Sequence, residues 1–234
     1  MHAPAFLIGD SRVRHMTPQN LPVLRTWDKS GAKIEDLTEI VEGDLSDTIG
    51  DFDDPPIIYV AAGICNLTVR TRFDYDGGLV DEVTVLPAEQ IQETVETTKG
   101  AFNNLQHCTS RQGGVPAIAT IYPMSIGDWN QTRLNQGRTS ILRHADSYDE
   151  MQASLLLMVD MTNEAILTLN NTYGIKTPQL HKCLFHNRGG NRKNSIKYNL
   201  LTEGCHPSLK MIRDLTKSLR KTIALNSLVA RAQD

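Results

Sequence analysis

The stretch FLIGDSRVRHM, residues 6–16, sets a serine behind an apolar run and a Gly-Asp pair. Two kinds of chemistry suit a serine there. Ser11 attacks a carbonyl carbon if a neighbouring base removes its proton, or it caps a helix by accepting a bond from a free backbone N–H. The stretch alone leaves both open. Residues 6–8 read as a short buried strand, and Gly9-Asp10-Ser11 as a turn into a helix that Pro18 stops. A base for Ser11 would have to come from elsewhere, and LLTEGCHPSLKM near the other end of the chain supplies Glu203 and His206. Asp10 suits bonds to neighbouring backbone N–H groups, and His15, one turn on, suits a helix surface.

Such residues need a framework, and composition allows one. The chain has 234 residues, 40% hydrophobic and 22% charged, enough for a single domain over residues 1–234 with a substantial core. No apolar run is long enough to span a bilayer and the first residues lack a signal-peptide pattern, so a cytoplasmic or nuclear location is expected and no membrane partner. Cys65, Cys108, Cys183 and Cys205 form no Cys-x-x-Cys pair and read as reduced thiols. The net charge of −3 hides an asymmetry. Acidic residues dominate residues 28–96, whereas Lys and Arg dominate from Lys182 onward.

Apolar runs suited to buried strands occur at residues 6–8, 23–27, 57–62 and 115–122, and more weakly at 179–185. Helical patterns lie at residues 34–49, 88–105, 151–169 and 208–229. This alternation predicts βαβ units and a mainly parallel sheet covered on both faces. Residues 70–87, rich in Asp and Gly, read as a loop insertion, and 125–149 as a second long connection. In such sheets, sites form where loops converge beyond the carboxyl ends of the strands. Ser11, Gly31 in WDKSGAKIEDL and the AAGICNLT segment all fall there.

Four blocks in this order carry a resemblance: GDS at residues 9–11, a glycine before a helix at Gly31, GICN at 63–66, and EGCHPS at 203–208. The chain resembles the SGNH (GDSL-type) hydrolase superfamily, and the blocks span nearly its whole length. The resemblance implies an α/β three-layer α/β/α sandwich around a doubly wound, five-stranded parallel sheet, with no cofactor and no metal. It assigns Ser11 as nucleophile, His206 as general base and Glu203 as the acid that orients the imidazole. It also implies an oxyanion hole from the N–H groups of Ser11 and Gly31 plus a side-chain amide of the third block. Two positions depart from the pattern. Glu203 stands where the family has aspartate. In GICN, counting from Gly63 puts Cys65 at the oxyanion asparagine, whereas a bulged turn would let Asn66 serve. A thiol is only a weak donor.

The resemblance therefore implies an esterase or deacetylase acting on a small acyl ester. The alternative is a weak or inactive module that binds nucleic acid or a protein partner through its basic C-terminal third. Similar domains also occur in proteins of mobile genetic elements. In HNRGGNRKNSIK, Arg188, Arg192 and Lys193 are the candidate phosphate contacts, without an aromatic stacking residue beside them. Lys210, Arg213, Lys217, Arg220 and Lys221 interleave with apolar residues at helical spacing and read as the solvated face of an amphipathic helix. His181 and His186 flank Cys183, but with Cys205 they match no standard zinc spacing. Tyr122, Pro123 and Trp129 follow the fourth strand and suit either a pocket wall or packing.

Overall fold

The structure, a computed structural model, describes residues 4–185 and 196–231. Arg188, Arg192, Lys193 and His186 lie outside the described residues. The chain forms β1 (Ala5–Asp10), β2 (Arg25–Lys29), α1 (Ile34–Glu42), α2 (Ser46–Gly50), β3 (Ile57–Ala61), α3 (Ile64–Leu67), β4 (Val69–Tyr75) and β5 (Gly78–Thr84). It continues with α4 (Ile91–Arg111), β6 (Val115–Ile118), α5 (Ile126–Asn135), α6 (Tyr148–Thr172), β7 (Leu201–Thr202), β8 (His206–Pro207) and α7 (Leu209–Arg231). β1, β2, β3 and β6 make one parallel sheet in the order β2-β1-β3-β6.

The central strands are buried along their whole length, which is why AFLIGD and IIYVA read as apolar runs without alternation. Their side chains still alternate between two cores. Phe6, Ile8, Ile58, Val60 and Ile118 meet α1, α4 and α6 on one face, through Leu37, Phe102, Leu105, Met158 and Ile166. Leu7, Ile57, Tyr59 and Ala117 face Met211, Leu215, Leu219 and Ile223 of α7 on the other. The sandwich is therefore three-layered. The basic residues of α7 lie on its exposed side, as their spacing predicts.

Among the described residues the sheet has four strands, not five. Residues 179–185, read as a weak strand, instead include a 3-10 helix over Leu180–Leu184. The outer edge of β6 is closed by side chains. Asn170 of α6 accepts from the Ile118 N–H at 2.9 Å and donates to its carbonyl at 2.6 Å. Asn163, two turns earlier, does the same for Ile121 at 2.7 and 2.9 Å. An amide thus takes the place of a neighbouring strand at Ile118, and again at Ile121 just beyond β6, and blunts that edge. At the opposite edge, β2 carries Arg25, Asp28 and Lys29, charges that discourage further pairing.

The two expected connections also hold structure. Residues 70–87 contain most of an antiparallel hairpin, β4 with β5, closed by Asp76-Gly77 with both residues at positive φ. Residues 125–149 contain α5. The hairpin is pinned by two buried carboxylates. Asp81 pairs with Arg70 and Arg133, and Glu82 accepts from Tyr148 Oη at 2.7 Å and lies 3.1 Å from His144 Nδ1.

Candidate active site

Sheet register brings the expected blocks to one place. Gly9 of β1 pairs with Asp28 of β2 and with Ala61 of β3. Ser11, Gly31 and Gly63 each follow these positions by two or three residues, so all three blocks emerge at the same carboxyl end of the sheet. Ser11 opens a 3-10 turn whose cap is Asp10, with Asp10 Oδ1 accepting from the Arg12 N–H at 2.9 Å. The capping role thus falls to Asp10, and the Ser11 hydroxyl is free. Ser11 Oγ lies 3.0 Å from His206 Nε2, across 195 residues of sequence.

Arg12 is the residue sequence reasoning passed over. Its guanidinium binds the Asp10 carboxylate at 3.0–3.2 Å, donates to the Tyr122 carbonyl at 2.9 Å, and lies 4.3 Å over the Tyr122 ring. Arg12 is 4% exposed and Asp10 1%. Burial opposes the guanidinium charge, but Asp10, Tyr122 and Cys205 more than offset it and hold Arg12 firmly protonated. This pair straddles Ser11 and fixes the turn to the strand-β6 loop. The only sequence sign of it is an acid and a base two residues apart around the serine.

His206 is set by a tight turn. β7 and β8 pair antiparallel, Thr202 opposite His206, and the Thr202 hydroxyl donates to the His206 carbonyl at 3.0 Å. Between them Glu203 and Gly204 both adopt positive φ, 53° and 71°. Gly204 is required by closeness as well: its carbonyl accepts from the Ser125 N–H at 2.7 Å, and a Cβ there would sit 2.7 Å from Ser125 O and Trp129 N. The turn is thereby docked on the start of α5. Trp129 of α5 lies 5.8 Å from the imidazole, centroid to centroid, as a wall of the site. Ser208 then caps α7, its Oγ accepting from the Met211 N–H at 3.4 Å.

Glu203 is held more loosely than His206. Glu203 Oε2 lies 3.9 Å from His206 Nδ1, and Glu203 Oε1 accepts from Gln136 Nε2 at 3.5 Å. Both side chains are partly open to water, 44% for Glu203 and 35% for His206. Burial lowers the His206 pKa below its ordinary value, with Glu203 pulling the other way and Arg12 adding to the fall. The imidazole is therefore neutral at physiological pH, the form a general base requires.

The third block departs from one of the two alignments. Gly63, at φ 122° and 2.6 Å from Ile121 Cδ1 at its would-be Cβ, starts the single helical turn α3. Asn66 at its end is committed to α1. Its Oδ1 accepts from the Ile34 N–H at 3.0 Å and its Nδ2 donates to Glu35 Oε2 at 2.9 Å. Asn66 so ties the third block to the Gly31 loop instead of reaching towards Ser11. Cys65 lies within the electrostatic influence of Asp10 and Arg12, and burial pushes its thiol up to about 11. Cys205, also beside Arg12 and Asp10, is pushed up to about 12 by burial. Both are neutral S–H groups. His181 is placed apart, its Nδ1 2.8 Å from Thr120 Oγ1 and its pKa driven down to about 4 by burial.

No protein-family model matches the chain, and no curated protein matches it by sequence. Solved structures do. A proposed acylhydrolase from Bacteroides fragilis superposes with a TM-score of 0.61 at 10% identity, over 96% of this chain and 88% of the other. A GDSL-like lipase from Bacteroides thetaiotaomicron gives 0.59 at 11% identity, over 95% and 88%. A proposed lipolytic protein of the G-D-S-L family from Desulfitobacterium hafniense gives 0.51 at 12%, over 94% and 99%. With the strand order and helical layers described above, these likenesses establish that the chain has the SGNH (GDSL-type) hydrolase fold.

Proposed function

We propose that the chain is a carboxylic-ester hydrolase, of esterase or deacetylase type, that cleaves a small acyl ester through Ser11. The observation that carries this reading is the 3.0 Å contact between Ser11 Oγ and His206 Nε2. Neutral His206 takes the Ser11 proton as Oγ attacks the ester carbonyl, then gives it to the departing alcohol. A water, deprotonated by the same imidazole, releases the acid from the acyl-enzyme. Glu203 steadies the imidazolium formed in each half. On this reading the N–H groups of Ser11 and Gly31 are the donors to the developing oxyanion, with the Cys65 thiol as a weak third donor. The test is hydrolysis of p-nitrophenyl acetate: the intact chain turns over the ester and Ser11→Ala abolishes it with the fold retained. Equal rates for the two proteins would remove the reading.

Two observations favour a second reading, a weakly active or inactive domain kept for binding. The Glu203–His206 separation is 3.9 Å, and Asn66 is engaged by α1. On that reading the basic C-terminal third meets nucleic acid, and binding weakens as salt rises and phosphates regain counterions. Affinity indifferent to salt would count against it.

A further inference from the structure

The β4–β5 hairpin has one closed edge and one open edge. On β5, the outward N–H groups are taken: Leu79 by Ser140 Oγ at 3.2 Å, Asp81 by Thr139 Oγ1 at 3.1 Å, and Val83 by Asn130 Oδ1 at 2.7 Å. The two-residue Asp76-Gly77 turn makes Tyr75 and Gly78 a bonded pair, so Arg70, Arg72 and Asp74 turn their backbone N–H and C=O groups away from β5. Among the described residues these outward groups have no partner. β4 also exposes apolar side chains on one face: Val69 at 37%, Phe73 at 36% and Tyr75 at 47%. Arg143 braces the two rings, 5.7 and 4.7 Å from their centroids. An edge of this kind is a template for another strand.

We infer that β4 is a homodimer interface, with a second copy of this chain pairing its own β4 antiparallel across a two-fold axis at Phe73. The argument is register. A symmetric antiparallel pair centred on Phe73 sets Arg72 opposite Asp74 of the second copy, and Asp74 opposite its Arg72, each pair exchanging both backbone bonds. Phe73 meets Phe73 across the axis, and Thr71 meets Tyr75. Arg72 and Asp74 are both exposed, and neither has an ion-pair partner among the described residues. Sliding one register step in either direction sets Arg72 on Arg72 or Asp74 on Asp74, like charges directly opposite, which is destabilising. One symmetric register is therefore selected. The strand suits protein better than nucleic acid, because Arg70 and Arg72 are matched by Asp74 and Asp76 and leave no net positive field. The result is a continuous four-stranded sheet, β5-β4-β4-β5, a more stable arrangement than a hairpin alone.

Sedimentation equilibrium of the full chain tests this. The expected mass approaches twice 26.1 kDa as concentration rises. Arg72→Asp and Asp74→Arg each return the chain to monomer, and the two reversals combined restore the dimer, since opposite charges face each other again. Phe73→Cys gives a disulfide-linked dimer on mild oxidation, because residues directly opposite in a non-bonded pair lie about 4.5 Å apart at Cα, within disulfide range. Arg72→Cys does not. A wild-type chain that stays monomeric overturns the proposal, as does a dimer that both single reversals leave intact. A double reversal that fails to restore association, or crosslinking by Arg72→Cys in preference to Phe73→Cys, overturns the register.

Discussion

Glu203→Gln separates this site from a tightly closed triad by magnitude. Two unit charges about 4 Å apart interact by ~1 kcal/mol in bulk water and ~4 kcal/mol at an effective permittivity near 20. Glu203 and His206 are 3.9 Å apart and each more than a third exposed, so solvent screening places their pairing towards the lower end, about 1–2 kcal/mol. In the proposed mechanism the imidazole is charged in the transition state and neutral before it, so this energy appears in the barrier. At 1.36 kcal/mol per decade the loss in kcat/KM is about 5- to 30-fold, against roughly 10⁴-fold where an acid bonds its histidine tightly. The assay is p-nitrophenyl acetate turnover across a pH series. Because Glu203 raises the His206 pKa, its amide should also move the acid limb of the profile to lower pH. A loss near 10⁴-fold, or a full rate with an unmoved limb, would refute the reasoning.

Other changes bear on neighbouring parts of the site. In the wild type, burial of His206 keeps the base neutral to a lower pH than an ordinary imidazole, so kcat/KM should hold level at neutral pH and fall only below about 6.5; a midpoint above that value contradicts the assignment. Cys65→Asn supplies an amide donor where the thiol is weak, and kcat should rise, with about 10²–10³-fold as the ceiling for one donor. An unchanged kcat would place Cys65 off the oxyanion. Arg12→Ala leaves the 1%-exposed Asp10 without its partner and should cost about 3–5 kcal/mol in urea unfolding. A loss below 1 kcal/mol would mean that the pair does not hold the turn.

How far the sequence discloses this arrangement varies with the range of the interactions. The inner strands and α7 are legible because their burial is regular: β1 is apolar through Ile8, β3 is buried throughout, and α7 repeats apolar residues at Met211, Leu215, Leu219 and Ile223. The absent fifth strand is not, because the bonds that close β6 come from Asn170, 52 residues away from Ile118. The hairpin did have a local signal. Asp76-Gly77 lies between β-branched and aromatic residues, which marks a tight two-residue turn, although the Asp and Gly content of the segment as a whole suits a loop. At the site, Ser11, His206 and Glu203 come together as the order of the blocks predicts, whereas the engagement of Asn66 depends on Ile34 and Glu35, more than 30 residues earlier. Arg12 was hidden because a buried ion pair looks, in sequence, like two surface charges.

The central claim is that Ser11 is a nucleophile activated by His206. Labelling with a fluorophosphonate, read by mass spectrometry of the intact chain and of its peptides, tests it without knowledge of the natural ester. The account predicts a single adduct on Ser11, its loss in Ser11→Ala and much slower formation in His206→Ala, since the 3.0 Å contact is what removes the proton. A folded wild-type chain whose Ser11 stays unlabelled, or one that labels equally fast without His206, would contradict it.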